Sequence, residues 1–407
     1  MRSSTRLGSG GQGVYQKGED QARSCTVAET SSRSARPSRT ASQNAMLRMS
    51  LLLLASLTAA ACAEAALSDR DSARDLRRSF DSIIEAAARE GFAGQLVVMR
   101  SGAVVYERAA GSADTAGKIP VTGDTLYQVS SVSKFFTAAL ALKAVEDGKL
   151  ALDDSAATLF AGTALASRDF TLEEILSHHS GLRSTYAAEH ESEPSRALDA
   201  IAKANERNLK DGDFHYSNDA YDALAIALER VYEEPYEAIL REEIARPAGL
   251  SNFAFWGESD VDDPHLRGQP LRPTPAELKG RNYGMIGSAG LLISASDLVR
   301  FRKALDDGKI IGPQMLGELN KPRGDSSIGE VLYGAFRVDT PMGKALSARG
   351  AEDWGDNAYL NAYPDCDAII AIVTSRGPAD DSGKPLFRVQ IIEAVEEKLA
   401  PECAGGN

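Results

Sequence analysis

Histidine is scarce in this 407-residue chain: five occur, at positions 178, 179, 190, 215 and 265. None stands at metal-ligand spacing with a cysteine or a carboxylate pair, so no metal site is expected. A glycine-rich phosphate loop ending in Lys-Ser/Thr is missing, and no Gly-x-Gly-x-x-Gly follows a strand-like run, so no nucleotide cofactor is expected. The Gly-x-Ser-x-Gly nucleophile elbow is absent too, and nucleophilic hydrolysis would need another geometry. Basic charge is in deficit: 45 Lys and Arg against 58 Asp and Glu leave a net charge of -13, which excludes a broad phosphate-binding surface and argues against nucleic acid as a partner. Aromatic residues make up only 6% of the chain, yet 43% is hydrophobic and 25% charged, the balance of an ordinary globular protein with a substantial core.

The longest apolar run, near residue 50, extends over about a dozen residues and is too short to span a bilayer. It lies in MLRMSLLLLASLTAAACAEAA, residues 46–66, where Arg48 precedes the Leu-rich core and small residues follow, the order of a secretory signal. Residues 46–65 are therefore expected to direct export. Residues 1–45, rich in Ser, Arg, Gly and Gln, are expected to be a disordered extension upstream of a native start at Met46 or Met49. Ala59-Ala60-Ala61-Cys62 resembles a lipoprotein signal. Acylation of Cys62, the one route to a membrane partner, competes with cleavage at an Ala-x-Ala site, and either outcome places the product in the periplasm, outside the cell or on a lipid anchor. Export leaves Cys366 and Cys403 downstream, free to pair or to stay as two unrelated thiols.

After the leader, Leu76, Phe80, Ile83, Ile84 and Ala87 recur at helical spacing up to Gly91. QLVVMR and AVVYERAAG flank Ser101-Gly102 and predict a hairpin. Near the other terminus LYGAFRV, AYLNAYP and AIIAIVTS predict strands, and LFRVQIIEAVEEKLA a closing helix. The middle is mostly helical. Thr171 with Glu174 and Ser294 with Asp297 have capping-box spacing, and Thr274-Pro275 predicts a further helix start. The fold class is α+β: an antiparallel sheet from both ends of the chain (about 68–128 and 285–402), flanked by helices, with a largely helical region (about 129–284) inserted.

Chemistry is available at Ser131-Val132-Ser133-Lys134, where Ser131 and Lys134 lie three apart at the start of a helical segment and share one face. Unpaired amides there favour developing negative charge, and a desolvated lysine can accept the serine proton. Tyr216-Ser217-Asn218 follows, again before a helix. A phenol near a lysine can relay protons, and an asparagine amide can bond a substrate carbonyl.

The order of these motifs resembles the serine β-lactamase and penicillin-binding-protein family, in its class C and DD-peptidase branch. Ser131 and Lys134 match its Ser-x-x-Lys, and Tyr216 and Asn218 its Tyr-x-Asn. ILSHHSGL and MIGSAGLLISASDLVRF resemble two further segments of that family, covering together most of residues 75–400. The resemblance implies a β-lactamase/transpeptidase-like fold over residues 68–402, with Ser131 attacking a carbonyl, Lys134 and Tyr216 handling protons and Asn218 orienting the substrate. His178 matches a family position and is read as structural. The third family motif departs. In place of Lys-Thr-Gly or His-x-Gly stands Arg349-Gly350-Ala351, where Arg349 is expected to bind an anionic substrate end and Ala351 to narrow the approach to the strand.

The expected activity is that of a secreted serine hydrolase acting on a small-molecule or peptide acyl substrate, of peptidase, amidase or esterase type. Two alternatives share the fold: a binding protein that has lost turnover, and a β-lactamase proper.

Overall fold

The computed structural model describes residues 71–207, 212–258, 263–275, 278–377 and 386–404, so the expected extension, signal segment and Cys62 lie outside the described residues. The chain divides into two compact units, 1–75 and 76–407.

In the second unit residues 76–89 are helical, and Phe80, Ile84 and Ala87 point inward as their spacing requires. Strands β1 (Gly94–Arg100) and β2 (Ala103–Ala110) form the expected hairpin. Its turn residues Ser101 (φ 47°) and Gly102 (φ 74°) are both left-handed, the geometry that matches the strands' own twist. The chain then makes a second small sheet from β3 (Tyr127–Gln128), β4 (Phe253–Phe255) and β5 (Leu291–Ile293), in the order β3-β5-β4. Its first strand lies in LYQVS, a strand-like run in the sequence just before Ser131, whereas the three-residue runs of β4 and β5 are too short to carry a periodicity.

The C-terminal third adds β6 (Glu330–Val331), β7 (Phe336–Thr340), β8 (Gly343–Ala351), β9 (Asn357–Tyr363) and β10 (Ala368–Thr374). The main sheet is antiparallel throughout, in the order β2-β1-β10-β9-β8-β7-β6, so the first and last strands of this unit pair with each other. Both of these strands are covered on two sides. Val97, Met99, Ile369, Ala371 and Val373 face the helical region, while Leu96, Val98, Ile370 and Ile372 face Phe80, Ile84 and the helix Leu386–Ala404. A disulfide joins Cys366 to Cys403 at a Cα separation of 5.2 Å, fastening that helix to the β9–β10 turn.

On the sheet's inner face the helix Ser133–Glu146 is buried almost all round, which makes it a core helix of this unit rather than a surface helix. Thr171 and Glu174 form the expected reciprocal capping box, and Ser294 accepts from the Asp297 amide.

Candidate active site

β3 leads directly into a tight turn, Ser130–Val132, that feeds the Ser133–Glu146 helix. Ser130 holds φ at 50°, a left-handed conformation uncommon for a residue with a side chain, and it presents the next residue at the seam between helix and sheet. Ser131 is partly exposed, whereas Lys134 one turn on is 1% exposed. The structure thus brings together the pair expected to act: Lys134 Nζ donates to Ser131 Oγ at 3.1 Å and to the Ser288 carbonyl at 3.0 Å.

The Ser288 carbonyl is itself held in place. Asp222, fully buried, accepts from the Gly287 and Ser288 amides and from Ser288 Oγ, each at 3.0 Å. Burial outweighs the opposing pull of Lys134 and these hydrogen bonds and holds the Asp222 carboxyl at about 7. Asp222 was not identified from the sequence. The available signal was an acid one turn past Asn218 inside the apolar helix Asn218–Tyr232, a position that demands a partner.

Tyr216 stands over Lys134, with the ammonium 4.9 Å from its ring centre. Its backbone is set by two neighbours. His178, buried and left-handed at φ 61°, accepts the Ser217 amide on Nδ1 at 3.1 Å and lies against the Tyr216 ring at 4.6 Å. Burial first, then Lys134, holds this imidazole well below its usual pKa, so it is a neutral acceptor, consistent with a structural role. Ser184 Oγ accepts the Asn218 amide at 2.8 Å and reaches the Tyr216 carbonyl at 3.4 Å. Asn218 opens the helix capped by Ser217, and its side-chain Oδ1 is buried without a hydrogen-bond partner, an acceptor available to a ligand.

β8 runs beside the Ser130 turn beyond the point where β7 stops pairing with it. Gly350 is the residue of closest approach: a Cβ there would lie 1.9 Å from the Val129 carbonyl oxygen and 3.0 Å from Ser130 Cβ. Two expectations for this strand are corrected. Ala351 is exposed and narrows nothing, since the crowded position is one residue earlier. Arg349 does not face Ser131. Alternation along the strand sends it to the opposite face from Gly350, where Nε donates to Ser347 Oγ at 3.0 Å and the guanidinium lies 5.1 Å from the Tyr359 ring centre, on the side covered by the C-terminal helix. The other basic residue of β8, Lys344, is at the far end near Asp339, so this strand gives the site no positive side chain.

What β8 delivers instead is acidic. Glu352, at the start of the turn to β9, lies close enough to Ser130 and Lys134 for both to favour its ionised form, yet burial and Asp356 dominate and raise its carboxyl to about 8. The turn is rigid: the Glu352 amide donates to the Asp356 carbonyl at 2.8 Å, and Gly355 donates back to Glu352 at 3.0 Å. Asp356 makes a buried ion pair with Arg267, and Trp354 Nε1 donates to Asp356 and to Gln128, at 3.0 and 3.1 Å. Neither Glu352 nor Tyr186, which feels both Glu352 and Tyr216, was identified from the sequence, because loop acids and tyrosines read there as solvated surface.

Among the described residues no group of His, Cys, Asp or Glu could hold a metal ion, and no helix is long and apolar enough to cross a membrane.

The family model described as Beta-lactamase matches residues 76–393. Penicillin-binding protein 4 of Amycolatopsis lactamdurans is 26% identical over 313 residues, covering 70% of this chain and 81% of that protein. Protein flp of Staphylococcus aureus (strain MRSA252) is 24% identical over 242 residues, covering 56% of this chain, and the match spans only 48% of that relative's length. Among solved structures, D-amino acid amidase from Ochrobactrum anthropi SV3 complexed with D-phenylalanine aligns with a TM-score of 0.67 at 20% identity, over 81% of this chain and 99% of that one.

Proposed function

Since the chain belongs to the β-lactamase family, we propose that it is an exported serine hydrolase that forms an acyl-enzyme at Ser131, with peptidase, amidase or esterase activity. The observation that carries this reading is the 3.1 Å contact between Lys134 Nζ and a partly exposed Ser131 Oγ at the head of a buried helix. Lys134 in its unprotonated form takes the hydroxyl proton as Oγ attacks the acyl carbon. Tyr216, stacked on Lys134, relays a proton to the leaving amine or alkoxide as its bond to carbon breaks. Water then attacks the Ser131 ester, returning the proton to Oγ and releasing the acid. Asn218, with its unpartnered Oδ1, orients the substrate.

The signal-like run supports export, and the Cys366–Cys403 bridge suits an oxidising compartment. D-amino acid amidase shares the fold and supports an amide or small acyl substrate. Covalent labelling by fluorophosphonate and β-lactam probes tests the proposal. Ser131→Ala should abolish labelling, and Lys134→Ala and Tyr216→Phe should each slow it by about 10²–10⁴, with the double variant far less than multiplicatively worse. Undiminished labelling of Ser131→Ala would remove the mechanism. A binding protein that has lost turnover is the second reading, favoured by the absence of a basic side chain on β8 facing the site; stoichiometric labelling without turnover of any ester or amide would select it.

A further inference from the structure

Ser288 holds Lys134 through its carbonyl, and the peptides around that carbonyl are fixed from several sides. The Gly287 carbonyl accepts from Thr137 Oγ1 at 2.6 Å, while Asp222 takes the Gly287 and Ser288 amides. The Ala289 and Gly290 amides both donate to the Met285 carbonyl, at 2.9 and 2.7 Å. The Ala289 carbonyl accepts from a side chain of another segment, Gln128 Nε2, at 3.2 Å. Gln128 has no exposed surface and stands in β3, three residues before Ser131. One side chain therefore ties the strand that delivers the nucleophile to the segment that holds Lys134. The other end of its amide is engaged too. Trp354 Nε1 donates to Gln128 Oε1 at 3.1 Å and to Asp356 Oδ2 at 3.0 Å, and Asp356 is in a buried ion pair with Arg267. An indole N–H only donates and a backbone carbonyl only accepts, so these partners leave the Gln128 amide one orientation, oxygen to Trp354 and nitrogen to Ala289. Turning it would leave buried polar groups unpaired, which is strongly unfavourable.

We infer that Gln128 is a positioning residue for Lys134: through the Ala289 carbonyl it sets the direction of the Ser288 carbonyl, and Trp354 fixes Gln128 in turn. Its consequence for turnover rests on the acyl-transfer reading of Ser131 and Lys134, whereas the hydrogen-bonded link from Lys134 to Trp354 does not. Without the Gln128 amide the Ala289 peptide gains freedom to rotate and the Ser288 carbonyl swings with it. Lys134 Nζ then loses the acceptor that keeps it 3.1 Å from Ser131 Oγ.

The link is read in two ways. Fluorophosphonate labelling at graded concentrations separates the rate constant of Ser131 modification from the concentration at half-saturation. Gln128→Met keeps the length of the side chain and removes both amide bonds. It should lower the rate constant by about 10- to 100-fold and leave the half-saturating concentration within about twofold, because misplacing Lys134 is felt in the chemical step. In the Lys134→Ala background the same substitution should change the rate by less than about twofold, since its route to Ser131 has gone. No loss in the wild-type background would overturn the inference, and so would an equal loss in both, which would make Gln128 a general support of the fold. Where Gln128→Met fails to fold, Trp354→Phe carries the same cycle, with an expected loss of about two- to fivefold that Lys134→Ala removes. The second readout needs no turnover. The chain has two tryptophans and hence two indole N–H resonances, assigned by the one that Trp256→Phe deletes. Lys134→Ala should shift the Trp354 resonance, and in the Gln128→Met background that response should be lost. A Trp354 signal indifferent to Lys134, or a response that persists without the Gln128 amide, would overturn the link. A wild-type protein that takes up neither fluorophosphonate nor β-lactam would remove acyl transfer at Ser131, and the indole response would still decide whether Gln128 holds the acceptor of Lys134.

Discussion

Gly350→Ala probes whether β8 and the nucleophile turn act as one unit. The new Cβ would lie 1.9 Å from the Val129 carbonyl oxygen, 2.9 Å from its carbon and 3.0 Å from Ser130 Cβ. An ordinary contact between carbon and oxygen needs roughly 3.3 Å, so one segment has to move by on the order of 1 Å. Neither moves freely. Gly350 pairs with Ala358 in β9, and the Val129 amide donates to the Leu291 carbonyl at 3.0 Å while its carbonyl accepts from Val132 at 3.1 Å. Overpacking of this kind costs about 1–3 kcal/mol, and the melting temperature should fall by about 2–4 °C for each kcal/mol. The turn carrying Ser130 and Ser131 is the less extensively paired partner and should yield. A displacement of about 1 Å at a nucleophile costs about 10²-fold in rate. Melting by circular dichroism and stopped-flow labelling by a fluorophosphonate would read the two effects. Labelling at the wild-type rate, with or without a lowered melting temperature, would refute the claim that β8 sets the position of Ser131.

Asp222→Asn should keep much of the grip on Gly287 and Ser288 but remove the buried charge near Lys134, so the acid limb of the labelling rate should move to lower pH; an unmoved limb would dissociate Asp222 from the site. Because burial raises the Asp222 carboxyl from 3.8 to about 7, its contribution to stability is complete below pH 3.8 and is lost as pH rises through 7; the Asn variant should show a flatter dependence of stability on pH over that window, measured by urea unfolding. Arg349→Ala should leave the ratio of kcat/KM for anionic and neutral esters unchanged, since Arg349 faces Ser347 and Tyr359; a selective loss on anionic esters would return it to the cleft. Cys366→Ser should destabilise the fold by about 4 kcal/mol on the loop-entropy account, given a sequence separation of 37, and a reductant should no longer affect the variant's melting.

The fold class and the nucleophile pair were legible in the sequence because they depend on local order. Ser131 and Lys134 lie one helical turn apart, and a helix start fixes their shared face whatever surrounds it. The hairpin at Ser101-Gly102 and the cap at Thr171 are likewise set by a few adjacent residues. Two-sided burial of β10 was readable from AIIAIVTS, since only a covered strand is apolar at every step. What tertiary structure decided was direction and company. Whether Arg349 or Gly350 faces Ser131 depends on the register of β8 against β9, and a shift of one residue exchanges the faces of a strand. Asp222 and Ser288 are 66 residues apart and meet only when the Asn218–Tyr232 helix packs beside the turn preceding β5. Glu352 acquires its place in a turn held by two long-range contacts, Arg267 to Asp356 and Trp354 to Gln128, that no local pattern encodes. A linear chain specifies its periodic elements through neighbours a few residues away, whereas the charge lining a cleft is fixed only once distant segments have excluded water from between them.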